Sequence, residues 1–534
     1  MHFQTRSFFF YLLVPYVFLI AGFVSPAISA EAIALNPATF PAVGQVDTRF
    51  QAYNIEMLEV TGGRFWKSYK DLQAASSVRT DTAKAGATPA GMSANLYQYR
   101  PPIDLSNGRL RKLAAALGPA YVRVSGTWAN TTYFYDNEGP PPTSPPKGFN
   151  GVLTREQWKG VIDFAHAVDA RIITSLATSA GTRNAEGVWT PTQARAFLSY
   201  TKSAGGTIAA AEFMNEPDFP ALAGTPKGYD ASAYARDVAV FRPFLKETAP
   251  GVLFVGPGSA AEGGPLASTP GMPRISTEAL LKATGPVYDV FSYHLYAAAS
   301  QRCGGSNTPF GTTADAALSQ EWLSRPDAIN AFYKGLRDRF EPGKPLWVTE
   351  TADAACGGNP WASTFLDTFR YLDQHGRLAQ QGVRVIAHNT LAASDYGLLD
   401  EKTFAPRPNY WAALLWQRLM GTTVLKPDAV PSESVHLYAH CMHDVPGGVT
   451  VLAINTDKNS AASLAVPAAS KRYTMSAPKL EDTQVDLNGR ELKLGADDSI
   501  PDLSGISTSA GSMTLPPASI TFLAIRDAHN KSCR

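Results

Sequence analysis

Two glutamates stand where a side chain can do chemistry. Ala209-Ala-Ala-Glu-Phe-Met-Asn-Glu-Pro217 reads as a short apolar strand ending in Asn215-Glu216-Pro217, and Pro345-Leu-Trp-Val-Thr-Glu350 is a second apolar strand ending in a glutamate. Alone, the first is a modest signal, because a turn with Pro217 fixing φ would account for it. The pair is stronger. Two carboxyl groups flanking a glycosidic bond are what its hydrolysis requires: one protonates the leaving oxygen, and the other attacks the anomeric carbon or activates water.

Elements far apart in sequence must bring the pair together. From about residue 49 to 421, apolar β-branched runs at 50–58, 121–126, 171–177, 209–215, 252–257, 289–296, 345–350 and 383–390 read as eight strands. Segments of helical period lie between them at 104–117, 154–170, 190–204, 232–248, 325–340 and 364–381, and Thr154-Arg-Glu-Gln157 has the form of a capping box. Eight such units predict an α/β fold of the (β/α)8, or TIM barrel, class. Its catalytic residues belong at the C-terminal ends of the strands, so Glu216 and Glu350, on strands four and seven, face one pocket. An open doubly wound sheet is the alternative, but no G-x-G-x-x-G follows the first strand.

After residue 421 the pattern changes to alternating apolar and polar residues at 435–440, 449–455, 472–475, 484–494 and 520–525, with Asn488-Gly489 as a hairpin signal. Residues 422–534 are therefore expected to form a C-terminal β-sandwich domain, and the short segment 31–48 to lend it a strand. At the N-terminus, Arg6, the apolar run from Phe8 to Val24 and the small residues up to Ala30 form a secretory signal pattern covering residues 1–30. A membrane anchor is the competing reading of that run. The signal reading places the mature protein outside the cytoplasm, secreted or periplasmic and free of the membrane.

The 534 residues are 45% hydrophobic and 17% charged, which suits a large folded core. Lys and Arg (47) nearly cancel Asp and Glu (46), giving a net charge of +1, so no overall field recruits nucleic acid. Cys303, Cys356, Cys441 and Cys533 are free to pair in an oxidising compartment, with three pairings open. No clustered Cys/His spacing points to a metal site, and no cofactor is expected. Oligomeric state leaves no mark in the sequence.

The text around the second glutamate narrows the class. Trp347-Val-Thr-Glu-Thr-Ala-Asp-Ala-Ala-Cys-Gly357-Gly358, the helix text 364–373, Ser394-Asp-Tyr396-Gly-Leu-Leu-Asp400, Ala120-Tyr-Val-Arg123-Val-Ser-Gly126-Thr127 and Tyr293-His-Leu-Tyr296 together resemble the heparanase and β-glucuronidase family, glycoside hydrolase family 79. The resemblance runs from about residue 50 to the C-terminus. It implies a retaining β-glucuronidase acting on glycans that contain glucuronic acid, with Glu350 as nucleophile and Glu216 as acid and then base. The acid must hold its proton where the nucleophile has lost one. It further implies that the N–H groups of Gly357 and Gly358 and the hydroxyl of Tyr396 grip the glucuronate carboxylate, that Tyr296 orients Glu350, and that Glu56, Thr127, Asn130 and Asn215 contact substrate. His294 is either a sugar contact or a satisfied structural histidine; His388 and Asn389 are weaker candidates. Glu212 is expected in a buried network rather than in the chemistry, because a buried carboxylate needs partners. Trp128 and Trp361 either stack on sugar or pack loops. The resemblance also implies a disulfide between Cys441 and Cys533; Cys303 and Cys356 follow strands six and seven and are placed to pair at the pocket rim. Exo-action is favoured, because basic residues are scattered and the insertions 136–150 and 300–313 can wall off further subsites. An endo-acting heparanase-like hydrolase, a pocket for arabinosides or xylosides, and a sugar-binding barrel without activity are the other readings.

Overall fold

A computed structural model describes Met1 and residues 32–534 apart from 76–92, 261, 269–273, 305–307 and 429–432. The expected signal segment, beyond Met1, lies outside the described residues. No described helix is long and apolar enough to cross a membrane.

Eight parallel strands close into a barrel in sequence order: β1 (Gln51–Glu56), β2 (Ala120–Ser125), β3 (Ala170–Ser175), β4 (Ile208–Glu212), β5 (Leu253–Ser259), β6 (Val290–Tyr296), β7 (Leu346–Ala352) and β8 (Val383–His388), which pairs back to β1. All eight expected strands are present. The lower barrel interior is an apolar plug that includes Ala52, Tyr121, Ile173, Val255, Trp347 and Val385, with the rings of Tyr121 and Trp347 5.1 Å apart. Above it the inward positions turn polar, with Arg123 two residues after Tyr121 on the same face of β2. Stability is thus concentrated at the floor and chemistry at the mouth.

The expected helices form, with shifted ends. Arg155–Ala167 starts from the predicted capping box: Thr154 Oγ accepts from the Gln157 N–H (3.2 Å), while Gln157 Oε1 accepts from the Thr154 N–H (2.9 Å). The helix expected to begin at 325 starts instead at Gln320, capped by Ser319, and carries Pro326 in its interior. Strand one stops at Glu56 rather than 58, since Glu56 caps a short helix, Met57–Thr61. Helix Pro408–Leu419 was not anticipated; almost all of its residues are buried, so it has no polar stripe for periodicity to detect.

The C-terminal region holds two sheets. The larger contains Ala42–Gln45, Met420–Leu425, Val435–Met442, Val449–Asn455, Ser519–Ile525 and Ser470–Ser476; the smaller joins Ile33–Ala34, Ala462–Val466 and Gly511–Leu515. Leu464, Val466, Met513, Val451 and Leu523 pack between them. The N-terminal segment therefore gives a strand to each sheet, and the boundary expected at 421 falls inside Met420–Leu425.

Cys441, on Val435–Met442, is bonded to Cys533, 92 residues on. By loop entropy this crosslink contributes about 4 kcal/mol. Cys441→Ala is therefore expected to lower the unfolding midpoint, and peptide mapping without reductant should recover the 441–533 pair; a free Cys533 would count against it.

Candidate active site

β7 carries a bulge that decides where Glu350 points. Its pairing with β6 runs Tyr293 to Val348 and then His294 to Glu350, so Thr349 has no partner. The extra residue changes the alternation, and Trp347 and Glu350, three apart, both face inward. Glu216 lies four residues beyond β4 with φ +50°, a left-handed conformation that is costly for a side chain with a Cβ. Asn130 holds that turn: its Oδ1 accepts from the Asn215 N–H and its Nδ2 donates to the Asn215 carbonyl, each 2.9 Å.

Arg123 joins these pieces. Only 1% exposed, its guanidinium donates to Glu350 Oε2 (2.8 Å), Glu212 Oε2 (2.8 Å) and Asn215 Oδ1 (2.7 Å), and lies 3.3 Å from His294 Nε2. Burial works against its charge, but Glu212 and Glu350 outweigh that and raise its pKa. The opposite nitrogen of His294, Nδ1, is 3.0 Å from Glu216 Oε1 and 3.7 Å from Glu350 Oε2. Burial lowers the His294 pKa, while Glu350 and the bond to Glu216 raise it further, leaving it above its ordinary value. Burial likewise pushes Glu350 up, but His294, Arg123 and the Tyr296 hydroxyl at 2.7 Å hold it below the usual carboxylate range. The ligating atoms of Glu216, His294 and Glu350 all lie within 4.8 Å of one another. That trio has the atom types for a metal, but Arg123 already supplies cationic charge to its centre.

A cavity of about 320 Å3 opens over this network, bordered by Glu56, Trp66, Thr127, Trp128, Glu216, Tyr296, Glu350, Asn389 and Tyr396, with an apolar wall opposite. Asn389 Nδ2 donates to both the Tyr296 and Tyr396 hydroxyls (3.2 Å each), which leaves the Tyr396 proton free to donate onward. Glu56 is buried with Oε2 unpaired; burial and the negative charge of Glu350 push its pKa well above the ordinary value, which favours its protonated form. Gly126, φ +91°, is required here, because a Cβ would come within 1.6 Å of Glu56 Oε2.

Several expectations change in detail. Asn130 and His294 are fully enclosed and spend their polar atoms on Asn215, Arg123 and the two glutamates, so they position the site rather than border the cavity. Asn215 is also behind the wall, on Arg123. Ala355 and Cys356 form the edge where Gly357 and Gly358 were expected. The glycines stand next to it with φ +83° and +84°, and a Cβ on Gly357 would be 2.8 Å from Trp66 and Ser394. Neither glycine N–H has a hydrogen-bond partner among the described residues. Glu212 sits in the buried network, as expected. Trp128 borders the cavity, whereas Trp361 is packed in the core. His388 is packed behind Tyr396, donating to its carbonyl through Nε2 (2.8 Å), with its pKa lowered to about 3 by burial. Cys303 and Cys356 are bonded at the rim, joining the loops after β6 and β7. Of 300–313, Cys303 and Phe310 border the cavity; no residue of 136–150 does so among those described. Arg123 was quoted in a motif but not recognised as the hub. Its signal is a charge in the middle of an otherwise apolar strand.

Paired carboxylates at the mouth of a (β/α)8 barrel, one ionised and one strained into the pocket, define a glycosidase. The family model for the glycosyl hydrolase family 79 N-terminal domain matches residues 102–376, more than half of the chain. The chain belongs to glycosyl hydrolase family 79. It is 29% identical over 378 residues to heparanase-like protein 1 of Arabidopsis thaliana, an alignment covering 67% of this chain and 66% of that one. It is 25% identical over 474 residues to the hyaluronoglucuronidase of Hirudo nipponia, covering 81% and 92%. A 4-O-α-L-rhamnosyl-β-D-glucuronidase from Fusarium oxysporum shares the fold, with TM-score 0.60 and 13% identity over 92% of this chain and all of that one.

Two substitutions probe the geometry. Asn130→Ala releases the strained Glu216 turn and should lower kcat about 100-fold with a smaller change in KM. Glu56→Gln tests the buried proton. A carboxyl with a raised folded pKa favours the folded state below its unfolded pKa, and that contribution is lost as pH rises towards the folded value. Thermal unfolding should therefore show the Tm of Glu56→Gln, relative to wild type, rising as the pH climbs above about 4; a constant difference would mean that Glu56 is ionised in the fold.

Proposed function

We propose that the chain is a retaining β-glucuronidase that removes β-linked glucuronic acid by double displacement. The spacing of the carboxylates carries this reading: one oxygen of Glu216 and one of Glu350 lie within 4.8 Å, which fits the short spacing of retaining glycosidases better than the wider spacing that admits an attacking water. Glu350, held ionised by Arg123, His294 and Tyr296, attacks the anomeric carbon while Glu216 gives its proton to the leaving oxygen. Glu216 then takes a proton from water, and that water's oxygen displaces Glu350 from the sugar. Arg123 and Tyr296 keep Glu350 aimed and must release it partly as its charge moves to the new bond.

The similarity to a hyaluronoglucuronidase and to heparanase-like proteins supports glucuronic acid as the sugar. Its carboxylate is assigned to the Tyr396 hydroxyl and the adjacent N–H groups of Gly357 and Gly358, with Thr127 and protonated Glu56 for the hydroxyls. Such donors satisfy an anion without an arginine. The compact cavity and the rim formed by the loops after β6 and β7 favour exo-action on a terminal residue. The N-terminal apolar run and the two disulfides support a secreted or periplasmic protein.

Glu216→Gln and Glu350→Gln should each lower turnover by orders of magnitude and leave the fold intact. Azide should rescue a Glu350 variant to the inverted glycosyl azide and a Glu216 variant to the retained one, given good leaving groups. Wild type releasing the inverted anomer would overturn the mechanism. On long heparan sulfate, slow shortening with early free glucuronic acid is expected; a rapid fall in chain length with little monosaccharide would make the enzyme endo-acting. Release from xyloside or arabinoside reporters alone would replace the sugar, and no release from any of them would leave a binding barrel.

A further inference from the structure

The cavity has two unlike halves, set by the strand order. The end of β1 and the loops after β8, β1 and β2 contribute Asn389, Tyr396, Glu56 and Thr127, hydrogen-bonding groups that stand beside the rings of Trp66 and Trp128. Loops after β4, β5 and β6 contribute Phe219, Leu222, Leu266 and Phe310, together with the Cys303–Cys356 disulfide, a lining mostly of carbon and sulfur with one guanidinium, that of Arg274. Glu216 stands at the start of this second half: the Phe219 N–H donates to the Glu216 carbonyl (2.9 Å), so the first apolar ring is fixed one turn beyond the acid.

The acid protonates the leaving oxygen, so the group on its side of the cavity is the aglycone. We propose that this half is an aglycone subsite for an apolar, ring-sized alcohol or phenol. The proposal rests on the glucuronidase reading and deepens it. Arg274 is the basic side chain among the described lining residues, and its guanidinium donates to the Leu266 and Ala267 carbonyls (3.0 and 2.8 Å) and stands over the Phe219 ring at 5.8 Å. It is thereby tied into the wall as a packing element. A sulfated sugar in this half would lose hydration to carbon and gain few cations in return. A compact apolar ring would be matched on several sides, and a cavity of about 320 Å3 lies near the lower end of the roughly 300–1,000 Å3 typical of small-molecule sites.

Leaving-group acidity has to be held constant to test this. The probes are the β-glucuronides of methanol, 1-butanol and cyclohexylmethanol, whose alcohols are of similar acidity, with the disaccharide of glucuronic acid on N-sulfated glucosamine as the anionic competitor. On the full-length enzyme, kcat/KM should climb at least about tenfold from methyl to cyclohexylmethyl, since even one buried methylene is worth that order of discrimination. The disaccharide should fall below the cyclohexylmethyl compound. In Leu222→Asp, and separately in Phe310→Ala, the cyclohexylmethyl-to-methyl ratio should shrink towards one, and reading a ratio within each variant removes any loss of folded protein. A flat alkyl series, a faster sulfated disaccharide or an unchanged ratio in both variants overturns the subsite while glucuronides are still cleaved. Cleavage of none of the four probes overturns the glucuronidase reading and the subsite with it.

Discussion

Arg123 places a permanent positive charge between two carboxylates, 2.8 Å from Glu212 and 2.8 Å from Glu350, inside a barrel that admits almost no water to it. Several kcal/mol are needed to desolvate each of these ions, and only close, fully bonded geometry offsets that. The fork of the guanidinium is what makes the geometry attainable, because its separate N–H groups reach β4, β7 and the segment after β4 at once. A lysine would offer one point of charge. Arg123 helps to hold Glu350 where the bulge places it, lowers its pKa together with His294 and Tyr296, and shares with Asn130 in orienting Asn215.

The carboxylates around the cavity are set apart by what surrounds them. Glu350 receives an arginine, a histidine and a phenol; Glu56, on the neighbouring side of the same cavity, receives the repulsion of Glu350 and an unpaired oxygen. Burial and the charge of Glu350 thus push Glu56 up while its three neighbours hold Glu350 down, without any difference in residue type.

Most of the fold could be read in the sequence because a parallel barrel writes its strands as separate apolar runs, and all eight fall where those runs are. What periodicity missed has identifiable causes. Pro408–Leu419 is buried on nearly every side and presents no polar stripe. The bulge at Thr349 changes the facing of Glu350 without leaving any mark in residue type. The two glutamates were legible because each closes an apolar run in the sequence, although β4 stops at Glu212 and β7 runs on to Ala352, whereas Asn130 and His294 were recognisable as polar residues near the site but not as its internal supports. Which way they turn depends on contacts with β4 and β2, over 80 residues away from each in at least one case.

The groups left unsatisfied describe the missing ligand better than the groups that are paired. Among the described lining residues, Glu56 Oε2, Trp128 Nε1 and Asn389 Oδ1 are buried with no hydrogen-bond partner, and all three belong to the same half of one cavity. Orphaned polar atoms are uncommon in folded proteins and costly, at about 1–3 kcal/mol each. Clustered in one place, they are relieved together by a ligand rich in hydroxyls, and not by an apolar one. Among the described lining residues the opposite half holds no such orphan, so a single pocket can demand a sugar on one side of the scissile oxygen and accept carbon on the other. Discrimination is then strongest where the orphans lie, because an analogue lacking one hydroxyl leaves a buried donor or acceptor unpaired.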